Sequence, residues 1–127
     1  MTTSTTGWTL LSTAAAFKAA YDRSDNKLIV FYFTQDNCPP CNIIAPLLAP
    51  WKTASAYSGC LFYEINESHY SNVPSDIEFS EITSFPAMKF YKNYENTDDG
   101  YIKFLHNSSV PLTMYSQAET FINANKS

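Results

Sequence analysis

The sequence is short of positive charge, of charge altogether, of cysteine and of long apolar runs. Its 127 residues hold 8 Lys+Arg against 12 Asp+Glu, a net charge of −4, and only 16% of them are charged, against a usual share of about 25%. An acidic balance with no Lys/Arg run lacks the electrostatic footprint of a nucleic-acid binder. Three cysteines are too few, and too odd a number, for a disulfide scaffold. The longest apolar stretches, such as Leu28–Phe33, fall far short of the roughly 20 residues that span a bilayer. The first ten residues, MTTSTTGWTL, show no basic segment leading into an apolar one. No signal peptide is therefore expected, and the expected location is the cytoplasm, where thiols stay mostly reduced.

What is present is aromatic. Nine Tyr, nine Phe and two Trp bury enough apolar area to offset chain entropy, which excludes disorder. No repeat, linker or low-complexity block divides the chain, so residues 1–127 are expected to form a single domain.

Hydrophobic patterning gives the element order β-α-β-α-β-α-β-β-α. Trp8–Leu10 reads as a short strand. Ser12 or Thr13 caps a helix through Tyr21, with Phe17, Ala20 and Tyr21 on one face. Leu28–Phe33 is a continuous β-prone run, the mark of a strand buried on both faces. After a loop at Thr34–Pro39, Pro40 suits the first helical position, and that helix runs from Cys41 toward Tyr57 with Pro46 kinking it. Cys60–Asn66 reads as a second central strand and Asp76–Thr83 as a short helix. Ala87–Tyr91 and Tyr101–Leu105 read as a hairpin, and Thr113 or Ser116 starts a last helix. Such alternation predicts an α/β fold, a central mixed sheet with helices on both faces.

The chemistry concentrates at Cys38-Pro39-Pro40-Cys41, where the buried strand gives way to a helix. Cysteines at i and i+3 across a helix start can bring their sulfurs within bonding reach with little backbone motion. The unpaired N–H groups and positive dipole end of the helix favour thiolate over thiol. Such settings lower a cysteine pKa from about 8.5 into the range of roughly 3.5–7.5. Cys38 is the expected exposed nucleophile, and Cys41, one turn in, the more buried resolving thiol. A zinc site would need about four ligands, and Cys60, His69 and His106 supply no second closely spaced pair. No metal or organic cofactor is expected. Cys60 reads as a small buried apolar residue, and Asp98-Asp99-Gly100 as a hairpin turn.

With these residues in view, the chain resembles the thioredoxin family over roughly Trp8 to Asn125. The specific match is Cys38-Pro39-Pro40-Cys41-Asn42-Ile43-Ile44-Ala45-Pro46-Leu47, in which a C-x-P-C motif is followed by an apolar pair, Ala, a kinking Pro and an apolar residue. Phe85-Pro86-Ala87-Met88-Lys89-Phe90 resembles the family's cis-proline segment. By that resemblance Pro86 is cis and faces the sulfurs, while the Phe85 backbone pairs with an extended substrate segment. The implied activity is reduction of disulfides in protein substrates by a Cys38/Cys41 dithiol cycle. A flavin-containing reductase or the glutathione system would restore the dithiol, and the chain would act as a monomer without nucleic-acid or membrane partners.

The departures carry information too. Asn37 stands where the family usually has Trp, Tyr32 where it keeps a buried Asp, and Glu64 where a Lys is common. Pro39 replaces the usual Gly. The Asp normally assists proton transfer at the resolving thiol, so Glu64 or a water near Tyr32 is the candidate replacement, the other outcome being a slow resolving step. Two other classes stay open at this stage: an oxidase or isomerase of an oxidising compartment, and a non-catalytic binding module built on the fold.

Overall fold

A computed structural model describes residues 6–21, 27–36, 38–68, 87–92, 101–106 and 111–125. The expected helix at Asp76–Thr83 and turn at Asp98–Gly100 lie outside them. The described elements are strand β1 (Thr9–Leu10), helix α1 (Ala14–Tyr21), strand β2 (Leu28–Thr34), helix α2 (Pro39–Leu48), strands β3 (Leu61–Asn66), β4 (Ala87–Lys92) and β5 (Tyr101–His106), and helix α3 (Pro111–Asn125). The strands form one mixed sheet in the order β1-β3-β2-β4-β5. β1 and β2 run parallel to β3, and β4 is antiparallel to both β2 and β5.

Strand β2 lies between β3 and β4, and all seven of its residues are buried. That accounts for its unbroken apolar run. Its even residues, Leu28, Val30 and Tyr32, pack in one cluster with Ile44 and Leu48 of α2 and with Ala118 and Ile122 of α3. Its odd residues, Ile29, Phe31 and Phe33, pack in a second cluster with Phe17 and Ala20 of α1. Successive strand residues point to opposite faces, so α1 covers one face of the sheet, and α2 with α3 the other. The first cluster is braced by Trp8, whose Nε1–H donates to the Leu48 carbonyl at 3.2 Å and whose ring lies 4.8 Å from that of Phe62.

Three helix boundaries depart from the sequence-based reading. Helix α2 begins at Pro39, one residue earlier than expected, with Cys38 as its N-cap. Both prolines fit a first helical turn, and the capping bond decides between them. The helix also stops at Leu48 and gives way to two 3-10 turns, Ala49–Thr53 and Ser55–Tyr57, instead of running on to Tyr57. Pro50 has no N–H to bond the Pro46 carbonyl, so the α-helical ladder cannot continue there. Helix α3 starts at Pro111, ahead of Thr113, because proline is well suited to a first helical position. At α1 the expected cap is present: Thr13 Oγ1 accepts the Ala16 N–H at 3.2 Å. Among the described residues no helix is long and apolar enough to cross a membrane.

Candidate active site

The site forms where β2 leaves the sheet and α2 begins. Cys38 is extended, with φ −115° and ψ 95°, the conformation a following proline imposes. Its carbonyl accepts the Asn42 N–H at 3.1 Å, the first hydrogen bond of the α2 ladder. Its side chain turns back over the helix start, and Sγ accepts the Cys41 N–H at 3.3 Å. A cap of this kind draws on the N–H of the second or third helical residue. Here Pro39 and Pro40 occupy the first and second positions and have none to give, so Cys41 supplies the bond.

Cys38 and Cys41 are joined as a disulfide, with Cα atoms 5.2 Å apart. Cys41 is fully buried, and Cys38 retains 4% exposure. The expected order of accessibility holds, but the expectation of an exposed Cys38 does not. Its sulfur is bonded to Cys41 and folded against the helix N-terminus, and both cysteines pack beside Phe31, Phe33, Ile65 and Ala87. The third cysteine, Cys60, is buried and outside any disulfide. Among the described residues no three His, Cys, Asp or Glu side chains come together as a metal site.

Of the other residues singled out in the sequence, Tyr32 and Glu64 are brought together. They are direct partners in the β2–β3 register and both are buried. Burial raises the Tyr32 pKa above its ordinary value, the nearby Thr34 hydroxyl offsets part of the shift, and the Glu64 charge adds to it. Tyr32 is therefore a neutral phenol at any physiological pH. Among the described residues, neither the Tyr32 nor the Thr34 hydroxyl has a partner in strict hydrogen-bond geometry. Glu64 Oε1 accepts two hydrogen bonds from Thr6, from its backbone N–H at 2.9 Å and its hydroxyl at 2.6 Å. Tyr32 packs in the α2/α3 cluster, whereas Cys41 packs in the α1 cluster. Asn37, Phe85 and Pro86 lie outside the described residues.

Sequence reasoning missed Thr6 and Lys89. Thr6 is 58 residues from Glu64, and no local pattern links the two. Lys89 is buried on the α1 side of β4, its Nζ 5.8 Å from the Tyr91 ring centroid. Its alternation with Met88 and Phe90 places it on the face that Ala87 and Tyr91 share, a signal available in the sequence.

A mixed sheet whose central buried strand feeds a helix N-terminus carrying a C-x-x-C disulfide defines a dithiol–disulfide exchange protein. Residues 9–105 match the family model described as Thioredoxin. Among curated proteins, Thioredoxin-2 of Saccharomyces cerevisiae is 34% identical over 84 residues, 66% of this chain and 75% of that one. Ictalurus punctatus thioredoxin is 30% identical over 84 residues, covering 66% and 76%. Among solved structures, a Malassezia sympodialis thioredoxin superposes with a TM-score of 0.71 at 20% identity, covering 100% of this chain and 96% of that one. The chain belongs to the thioredoxin family, and its activity is that of a thiol–disulfide oxidoreductase.

Proposed function

We propose that the chain works in the reducing direction on protein disulfides, as a single monomeric domain in the cytoplasm. Cys38 thiolate attacks one sulfur of a substrate disulfide, forming a mixed disulfide and releasing the other substrate sulfur as a thiolate, which takes up a proton. Cys41 then loses its proton and attacks Cys38 Sγ, re-forming Cys38–Cys41 and releasing the second substrate thiol. Two electrons pass from the dithiol to the substrate, and a flavin-containing reductase or glutathione returns them. No metal or organic cofactor enters these steps.

The observation that carries this reading is the Cys38–Cys41 disulfide at the start of α2, with the Cys41 N–H donating to the Cys38 sulfur. The helix end stabilises negative charge at that sulfur. The family resemblance supports cis Pro86 facing the sulfurs and the Phe85 backbone pairing with substrate. Asn37, Pro39 and Pro40 would then shape the rim of the site.

The proton of Cys41 needs an acceptor. A neutral Tyr32 cannot serve, and Glu64 is the buried carboxylate among the described residues. We assign it that role, acting through water. Insulin reduction with Cys38→Ser as control tests the activity. No reduction by the wild type, together with slow alkylation of Cys38, would overturn it. The Cys38–Cys41 potential sets the direction: about −270 mV fits a reductant, and about −120 to −180 mV an oxidant or isomerase. For Glu64, the single-turnover rate of the resolving step in Glu64→Gln should fall and lose its pH dependence. An unchanged profile removes the assignment.

A further inference from the structure

Helix α2 is apolar on both of its faces, and the core explains one of them. Cys41, Ile44, Ala45 and Leu48 are buried. On the opposite side Ile43 is 52% exposed and Leu47 38% exposed, two of the three large hydrophobic residues that the described part of the chain leaves in solvent. Pro39, Pro46 and Pro50 are exposed with them. At 100° per residue, positions 39, 43, 46 and 47 form one stripe along the helix, and Pro50 extends it into the following turn. No charged residue occurs between Asp36 and Lys52, although the outer face of a surface helix is ordinarily its charged one. Single exposed apolar residues are common, whereas a contiguous apolar strip marks a contact surface.

We propose that this stripe is the docking surface for the protein substrate and receives an uncharged, apolar segment next to the substrate's disulfide. The proposal rests on the exchange reaction given above. Its occupant follows from continuity with the reacting sulfur. The stripe begins at Pro39, the residue next to Cys38, so it is continuous with the start of α2 where the reacting sulfur sits. A protein disulfide in reaction with Cys38 brings its flanking chain against that end of the helix. From Pro39 to Leu47 the helix rises about 12 Å, which about four residues of extended chain would cover. The absence of charge on the stripe selects a segment without acids or bases, since a charged side chain set against Ile43 and Leu47 would lose hydration with nothing to pair with.

The test compares a protein disulfide with a small neutral one. Wild type and the double variant Ile43→Gln/Leu47→Gln, both pre-reduced, are reacted in single turnover with insulin and with 2-hydroxyethyl disulfide. The second-order rate with insulin should fall about tenfold in the variant, equivalent to 1.4 kcal/mol, while the rate with the small disulfide stays within about twofold. The small disulfide thereby also reports on the fold and on the Cys38 nucleophile. Equal insulin rates, or a parallel loss with both substrates, overturn the docking surface while leaving the exchange reaction intact. A wild type inert to both substrates overturns the exchange reaction itself, and the docking surface with it. Sedimentation of the wild type as a dimer that the variant converts to monomer would assign the stripe to self-association and also overturn the proposal.

Discussion

Replacing Pro40 with Ala gives the second residue of α2 an N–H directed at Cys38 Sγ, which in the wild-type helix accepts the Cys41 N–H at 3.3 Å. Hydrogen bonds to charged groups contribute about 1.5–3 kcal/mol. Sulfur accepts over a longer distance than oxygen, so about 1 kcal/mol is the reasonable figure for the added bond. It acts mainly on the thiolate, because the disulfide sulfur carries no charge to stabilise. At 1.36 kcal/mol per pKa unit, the Cys38 pKa should fall by about 0.7. Stabilising the reduced state by about 1 kcal/mol should raise the potential by about 20 mV, since 30 mV corresponds to about 1.4 kcal/mol for a two-electron couple. The pKa is read from the pH dependence of iodoacetamide alkylation of the reduced protein, and the potential from equilibrium with glutathione. The greater freedom of the unfolded variant should destabilise it by about 0.4–1 kcal/mol, so both measurements belong well below its melting temperature. An unchanged or raised Cys38 pKa would refute the premise that the N–H supply of this helix end limits thiolate stability.

Three further outcomes follow from the packing. In Tyr32→Phe the phenol that burial keeps neutral is lost. The folded pKa of Tyr32 is raised, so in the wild type its contribution to stability is complete below the unfolded value near 10 and declines above it by about 1.4 kcal/mol per pH unit. The variant should show a shallower alkaline loss in urea titrations at pH 9–11, and at pH 7 it should be no less stable, because among the described residues the buried hydroxyl has no partner in strict hydrogen-bond geometry. Thr6→Ala removes the hydroxyl that donates to Glu64 Oε1 at 2.6 Å and should cost about 1.5–3 kcal/mol by chemical denaturation. Ile44→Ala empties a fully buried position of α2 against the sheet and should cost about 2–5 kcal/mol, read as a lower denaturation midpoint at unchanged m-value.

Strand β2 was legible because both of its faces are packed, and an unbroken run of large apolar residues has no other use in a chain this size. The pairing of β4 with β5 was legible for a related reason, as two β-prone runs flank a polar stretch. The exact start of α2 was not. Pro39 and Pro40 satisfy a first helical turn equally well, and the choice is made by one N–H reaching one sulfur. Its end was legible in principle at Pro50, which removes a ladder hydrogen bond as surely as Pro46 does. The tether between Thr6 and Glu64 leaves no sequence signal, because it joins the run-in to β1 with the middle of β3 across the sheet. Cys38 was expected to be exposed from its role as nucleophile. In the oxidised chain the bond to Cys41 and the capping geometry draw its sulfur inward.

The Tyr32–Glu64 register pair changes where the polarity of this site comes from. By the family resemblance, Tyr32 and Glu64 stand where a buried Asp and a Lys are usual, so the ordinary proton-transfer pair is already missing from the sequence. The structure has instead a phenol held neutral by burial and a carboxylate whose Oε1 already accepts two hydrogen bonds from Thr6. In the role proposed for Glu64, a proton leaving Cys41 would reach that carboxylate through water, since Cys41 packs in a different cluster from Tyr32, the register partner of Glu64. The Cys41 N–H and the N-terminal end of α2 act directly on the reacting sulfur, and Pro39 and Pro40 withhold two further N–H groups. The first turn of α2 has no acidic residue to oppose that field. Substitution at Pro40 should therefore move the redox potential further than substitution at Tyr32, and Glu64 should register in the rate of resolution more than in the equilibrium.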